Sequence, residues 1–262
     1  MPPGCRPSGI LAGVLTSTAA VRFVVWSNAM LCATCDPDTA ARNIVGGDVG
    51  HHVAGLPSHP DPATLPVALN LLRRAGGTGA HLALPVPGNP VGLAGPPSFN
   101  EAALEAGEAV VIAGTTLDGA AIGLVPVAVG PAVQWQAYAA NQPPPADLGE
   151  ADRELRAALV DAAQTLAALD VARWNPEIAD ELIDIRRIGT DPHDTLAPGY
   201  DPRAVRAAAT ARRCLAIANA ALTDDGAAVT IGEADARRRA IAELSAAARR
   251  TLVAACGPPN PS

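Results

Sequence analysis

Two hydrophobic periods run along this chain, and the change from one to the other falls just past its middle. Beyond Asp147 leucines recur at helical intervals, with Leu148, Leu155, Leu159, Leu166 and Leu169 on one stripe, the pattern of a helix buried along one side. Asp147 and Glu150 form a capping box that opens this helix. Asn175-Pro176 opens a second helix carrying Ile178, Leu182, Ile185 and Ile188, and Asp201-Pro202 opens a third that runs to Leu222. Thr230 with Glu233 opens a fourth, whose stripe Ile241, Leu244, Ala248, Leu252 and Ala255 stops at Gly257-Pro258.

The half before Asp147 is mixed. A long apolar run over residues 9–34 reads as a core helix opened by Ser8. Asp36 caps a short helix with Pro37 at its first position, stopped by Gly46-Gly47. Thr64 caps another, from Leu65 to Gly76-Gly77, and Ser98 with Glu101 reads as a capping box for a helix through Ala106. AHLALPV, EAVVIAG, AAIGLVPVAV and AVQWQAYAA read as strands. In the last, Val133, Trp135 and Ala137 alternate with Gln134 and Gln136, and Gly130-Pro131 joins the last two as an antiparallel hairpin. Pro143, Pro144 and Pro145 continue neither ladder nor helix and mark a junction. The expected class is α+β. A mixed part over residues 1–140 carries a small three- to four-stranded sheet with flanking helices, 141–145 is the Pro-rich junction, and residues 146–257 form a four-helix bundle, all in one compact unit.

Composition narrows the chemistry. The 262 residues are 49% hydrophobic but only 3% aromatic, so alanine, leucine and valine fill the core and helices pack closely. All 19 basic residues are arginine; without lysine, Schiff-base and P-loop chemistry are excluded. A net charge of −7 argues against nucleic acid as a partner. The paired arginines are interleaved with acids on predicted helices and read as solvated faces. The N-terminal apolar stretch is broken by Arg6, Arg22 and small polar residues, which suits neither a signal peptide nor a membrane span, so a soluble cytoplasmic protein without membrane contact is expected. Five cysteines, an odd number, make no disulfide framework. Cys32 and Cys35 form a CxxC that ends a helical run instead of opening a helix after a strand. No metal and no cofactor is expected.

Candidate sites are few. IVGGDVGHHVAGLPSHP, residues 44–60, gathers Asp48, His51, His52 and His59 in a glycine-rich run, ligand types suited to a divalent ion. Adjacent histidines on a regular element point apart and HExxH spacing is missing, so the run reads as a loop between two short helices. The Pro87–Ser98 loop joins a buried strand to a helix start through Gly88, Gly92 and Gly95, a context in which backbone amides meet an anion. Its prolines remove donors, and it fits neither GxGxxG nor a P-loop. Glu101, Glu105 and Glu108 follow it as solvent-facing or paired carboxylates, and Asp191, His193 and Asp194 sit in a turn-rich segment that lacks the EF-hand pattern.

The run LALPVPGNPVGLAGPPSFNEAALEAGEAVV, residues 82–111, resembles a functionally unassigned protein family from high-GC bacteria, whose members look like chains of similar size and order. The resemblance extends loosely through the helical half and implies no activity or catalytic residue. With no intact site motif, the leading expectation is a noncatalytic protein that binds a protein partner or assembles into a homo-oligomer through Ala-rich helical faces. The alternative is an enzyme or a binder of a small anionic ligand, with a pocket between sheet and bundle built from His51, His52, Gly92, Gly95 and Ser98.

Overall fold

The computed structural model describes residues 18–57, 59–115, 121–168, 196–223 and 231–259. The chain divides into two compact units. One is drawn from Ala19–Ala146, Leu196–Ala204 and Val253–Ser262, the other chiefly from Asp147–Thr195 and Val205–Leu252. The first border, at Ala146/Asp147, lies beside the prolines at 143–145, and two later segments return to the first unit.

The first unit is α+β, built on one six-stranded sheet. Its strands are β1 (His51–Ala54), β2 (Ala63–Thr64), β3 (Gly79–Ala83), β4 (Ala109–Ala113), β5 (Ala121–Val129) and β6 (Ala132–Ala140), in the order β2-β1-β6-β5-β4-β3. β3 to β6 are an antiparallel meander, and β1 adds to β6 in parallel. The expected hairpin forms, with Val129 opposite Ala132 across Gly130-Pro131. The expected count of three or four strands is too low, because β1 and β2 escape a hydrophobic pattern. β1 is only His-His-Val-Ala, with a buried histidine where an apolar residue would signal a strand, and β2 is two residues long. The histidine run is thus partly strand, not loop.

Of the helices α1 (Ala19–Leu31), α2 (Pro37–Val45), α3 (Leu65–Arg74) and α4 (Pro97–Ala106), α1, α3 and α4 pack on the sheet, and α2 packs on α1 and α3. Phe23 of α1 meets Trp135 of β6 at 4.7 Å between ring centroids, while α4 buries Phe99 and Ala103 against Val111, Val125 and Ala140 on the opposite face. Asp36 caps α2 as its sequence implies, accepting the Thr39 amide at 2.9 Å. The box at Ser98 does not form: α4 starts two residues before the Phe99 that a Ser98 cap implies, with Pro97 at its first position and no side-chain cap, since a proline with fixed φ and no N–H suits that place. Thr64 makes no cap bond either; it is spent as a strand residue opposite His52. The α2-facing end of the first apolar run is a helix, and its part before Thr18 lies outside the described residues.

α1 ends in a Schellman motif. Thr34 N–H bonds Ala29 C=O at 2.9 Å, Ala33 N–H bonds Met30 C=O at 3.0 Å, and Ala33 sits at φ +58°, a place that favours glycine. A left-handed alanine costs about 1 kcal/mol, so Ala33→Gly is expected to raise stability by about 0.5–1 kcal/mol in urea unfolding; an unchanged or lower midpoint would contradict the strain.

Asn28 is the polar centre of this unit. It is fully buried. Its Oδ1 accepts the Ala80 amide at 2.7 Å, and the two N–H groups of its Nδ2 are shared among three acceptors, Ala80 C=O at 2.9 Å, the Tyr200 hydroxyl at 3.0 Å and Cys256 C=O at 3.2 Å. Tyr200 donates to Cys256 C=O at 2.9 Å. One amide side chain thus closes the outer edge of β3 as a neighbouring strand would and ties the two returning segments to α1. Further along that edge, Leu84 N–H bonds Val91 C=O at 3.0 Å.

In the second unit the described helices are α5 (Leu148–Ala168), α6 (Pro202–Thr223) and α7 (Ile231–Ala255). Asp147 accepts the Glu150 amide and Asp201 the Arg203 amide, the caps expected from sequence. The helix expected after Asn175-Pro176 and the Asp191–Asp194 turn lie outside the described residues. No helix among the described residues is long and apolar enough to cross a membrane.

Candidate functional site

The strand β1 separates its two histidines. His51 is buried and His52 exposed, as the two-residue period requires. His51 lies inside a chain of polar contacts: Trp135 Nε1–H donates to His51 Nδ1 at 3.2 Å, and His51 Nε2 meets Asp48 Oδ2 at 2.9 Å. An indole nitrogen only donates, so Nδ1 is the acceptor and the proton sits on Nε2, pointing at Asp48. The guanidinium of Arg22 pairs with the same Asp48 oxygen and also holds Ile44 C=O at 2.9 Å. Burial lowers the His51 pKa below the ordinary imidazole value, against the pull of Asp48. Both ring nitrogens are occupied, so the aspartate–histidine pair braces β1 against α1 and leaves no nitrogen for a substrate or a metal. His59 stands in a tight turn, its N–H on Leu56 C=O at 3.1 Å.

Gly92, Gly95 and Ser98 lie elsewhere. A Cβ on Gly92 would stand 2.5 Å from Leu82 O and 2.6 Å from Ala83 Cα, so glycine is needed there to lay the loop on β3. Gly95 donates its N–H to Asn100 Oδ1 at 2.9 Å and accepts from the Asn141 amide at 3.2 Å. That places Gly95 beyond the end of β6, whereas His51 pairs with Val133 at its start. Eight strand residues, roughly 25 Å, separate them. Ser98 is exposed in the first turn of α4. The structure therefore brings His51 to Trp135 and Gly95 to Asn141, without bringing the two groups together. Glu108 has a structural role: its carboxylate accepts the Ala20 amide at 3.0 Å at the start of α1, where the helix dipole favours it. Among the described residues, no three His, Cys, Asp or Glu side chains are grouped to hold a metal. Cys32 and Cys35 are free thiols, and burial beside Asp36 pushes the Cys35 thiol up.

A concave feature of the sheet unit, among its described residues, is one that sequence reading missed. A cavity of about 230 Å³ opens among Leu71 and Leu72 of α3, Leu56, Ile122, Ala137 and Ala139. It exists because β1 stops at Ala54, opposite Gln136, and turns away at Gly55 (φ +76°). β6 continues alone. Its register with β5, and the bond from Val133 N–H to Gly50 C=O, send the backbone groups of odd-numbered residues toward β1. Past Ala137, whose C=O takes the Gln136 side chain at 3.5 Å, Ala139 presents its N–H and C=O at an edge that no strand pairs among the described residues. Its side chain is exposed, on the same face as Trp135. The sequence signal was the mismatch between a four-residue β1 and a nine-residue β6, visible only once β1 is recognised as a strand.

Two family models match the chain: the Rv1486c-like protein N-terminal domain over residues 20–148 and the Rv1486c-like protein C-terminal domain over residues 149–253. Their border falls two residues from that of the two units. The chain is 30% identical to the uncharacterized protein MAV321 of Mycobacterium avium, over 61% of this chain and 64% of that one. It is also 30% identical to the uncharacterized protein MT1533 of Mycobacterium tuberculosis (strain CDC 1551 / Oshkosh), over 64% of this chain and 72% of that one. The match to the uncharacterized protein Rv1486c of Mycobacterium tuberculosis (strain ATCC 25618 / H37Rv) is 30% over 57% of this chain and 64% of the relative. The match thus spans slightly under two thirds of the first of these relatives. No solved structure matches significantly. The relatives come from high-GC mycobacteria and the N-terminal match includes residues 82–111, which agrees with the resemblance read from that run. Two consecutive domain matches, in order and meeting at the border between the units, place this chain in the Rv1486c-like family.

Proposed function

We propose that the protein is a noncatalytic interaction module, and that the cleft at the open edge of β6 takes an extended, uncharged apolar segment of a partner protein. The observation that carries this reading is the strand-edge backbone at Ala139, which no described strand pairs, beside an apolar cavity lined by Leu71, Leu72 and Ile122. Main-chain bonds to the edge supply affinity, and the cavity selects a side chain. Burying two apolar side chains and making two backbone bonds is worth about 5–6 kcal/mol, on the order of 0.1 mM. The occupation of both His51 ring nitrogens also favours binding over chemistry.

Peptide display against the purified protein tests this. Enriched peptides should carry alternating Val, Ile or Leu, and Ala139→Pro should weaken their binding at least about ten-fold, because it removes the edge donor while leaving the β5 ladder, which uses even-numbered residues of β6. Enrichment that Ala139→Pro leaves unchanged would sink the proposal. The cavity volume favours a second reading, a small apolar molecule; indole binding abolished by Ile122→Trp but indifferent to Ala139→Pro would select it.

A further inference from the structure

Among its described residues, the helical unit has an open groove. α5 and α7 run antiparallel, joined where Thr251 Oγ1 donates to Ala151 C=O at 2.9 Å and Arg250 Nε to the Glu154 carboxylate at 2.8 Å. Past this contact they enclose a groove of about 630 Å³ lined by alanines, among them Ala157, Ala162, Ala236 and Ala240, with Asp161 from α5 and Glu243 from α7. These two carboxylates make no ion pair among the described residues. Arg239, the arginine among the groove's described residues, rests its Nε on Asp235 C=O of its own helix at 3.3 Å. α5 is also thinly covered for its length: Leu159 and Leu166 are half-buried and Val160 is 54% exposed.

The complementary surface lies on α6. Arg206, Arg213 and Ile217 stand seven and four residues apart, on one stripe of the helix. Both arginines are exposed and make no ion pair among the described residues, Arg213 Nε resting on Ala209 C=O at 3.3 Å, and Ile217 is 42% exposed. The two guanidinium-bearing positions are about 10.5 Å apart along the axis.

We propose that the protein self-associates by seating this stripe in the α5–α7 groove of a second copy, with Arg206 and Arg213 on Asp161 and Glu243 and Ile217 against the alanine wall. Alanine lets a third helix approach to the short end of the 8–10 Å range of interaxial distances. Guanidinium matches carboxylate geometry and sheds water readily, which suits it to an interface. Charge selects the occupant: an acidic, alanine-lined groove takes an arginine-bearing helix with a small apolar component, and this chain carries one. These residues are none of those at the β6 edge, so either proposal can fail alone.

Sedimentation velocity on the purified full chain decides it. Wild type is expected to associate at about 100 μM in low salt and to weaken as salt rises. Arg206→Glu with Arg213→Glu should weaken association about ten-fold or more, and so should Asp161→Arg with Glu243→Arg. All four positions are exposed, and circular dichroism checks that each variant folds. Mixing the two double variants should restore association, since the reversed stripe then meets the reversed groove. A monomeric wild type, association indifferent to either double variant, or a mixture that stays dissociated would each overturn the proposal. Unchanged peptide binding by these variants separates this result from the fate of the β6 cleft.

Discussion

Asn28→Ala is expected to lower the stability of the protein by about 3–5 kcal/mol. The loss exceeds that of one hydrogen bond because the substitution strands the amide and carbonyl of Ala80 on β3 and takes one partner each from the Cys256 carbonyl and the Tyr200 hydroxyl, which keep their bond to each other. Ala80 and Cys256 are fully buried, so water does not replace the lost amide without opening the structure. Tyr200→Phe removes a single hydroxyl from the same cluster and should cost about 1–1.5 kcal/mol. Burial has already raised the phenol well above its usual range, so the hydroxyl stays protonated and its loss is independent of pH near neutrality. Urea unfolding of the two variants measures the difference in midpoint at constant slope. If Asn28→Ala falls within about 1 kcal/mol of wild type, then Asn28 does not close the β3 edge.

Asn28 also shows where sequence reading stops. Within AVRFVVWSNAML it is a polar interruption of an apolar helix, and nothing local distinguishes a solvent-facing asparagine from one aimed at a strand 52 residues away. The caps at Asp36, Asp147 and Asp201 were legible because a cap is a local event: the acceptor and the amide lie two or three residues apart. The meander from β3 to β6 was legible because each strand carries its own apolar run and its own turn. β1 was not, because His51 takes the inward position and its partner Trp135 lies 84 residues on. Ser98 misled because its spacing to Glu101 satisfies a capping box, while Pro97 takes the first helical position ahead of it. The open edge of β6 follows from a difference in strand length, so it became visible only through the pairing that the histidines concealed.

That concealed pairing sets the acid sensitivity of the fold. In the native protein His51 is neutral, with Nδ1 accepting from Trp135 and Nε2–H directed at Asp48. A second proton would have to go on Nδ1, where it would oppose the indole N–H. Asp48 favours the charged ring, but burial, Arg22 and His52 oppose it, and the pKa lies below the ordinary value. His81 on β3 is also lowered, by burial. With a folded value below the unfolded one, the unfolded chain binds more protons between the two. Stability is therefore complete above an unfolded value of about 6.5 and lost progressively as pH falls toward the depressed folded values. The loss is at most about 1.4 kcal/mol per pH unit for each imidazole. Urea unfolding at steps from pH 8 to pH 5 should show this slope. His51→Gln is expected to cost about 1–3 kcal/mol at pH 8, where Trp135 loses its fitted acceptor, and to remove one imidazole's share of the pH dependence. His81→Gln should remove the other share with a smaller cost at pH 8, since its ring makes no hydrogen bond among the described residues. A wild-type midpoint that stays level from pH 8 to pH 5, or a His51→Gln variant that keeps the full slope, would show that His51 is not held neutral between Trp135 and Asp48.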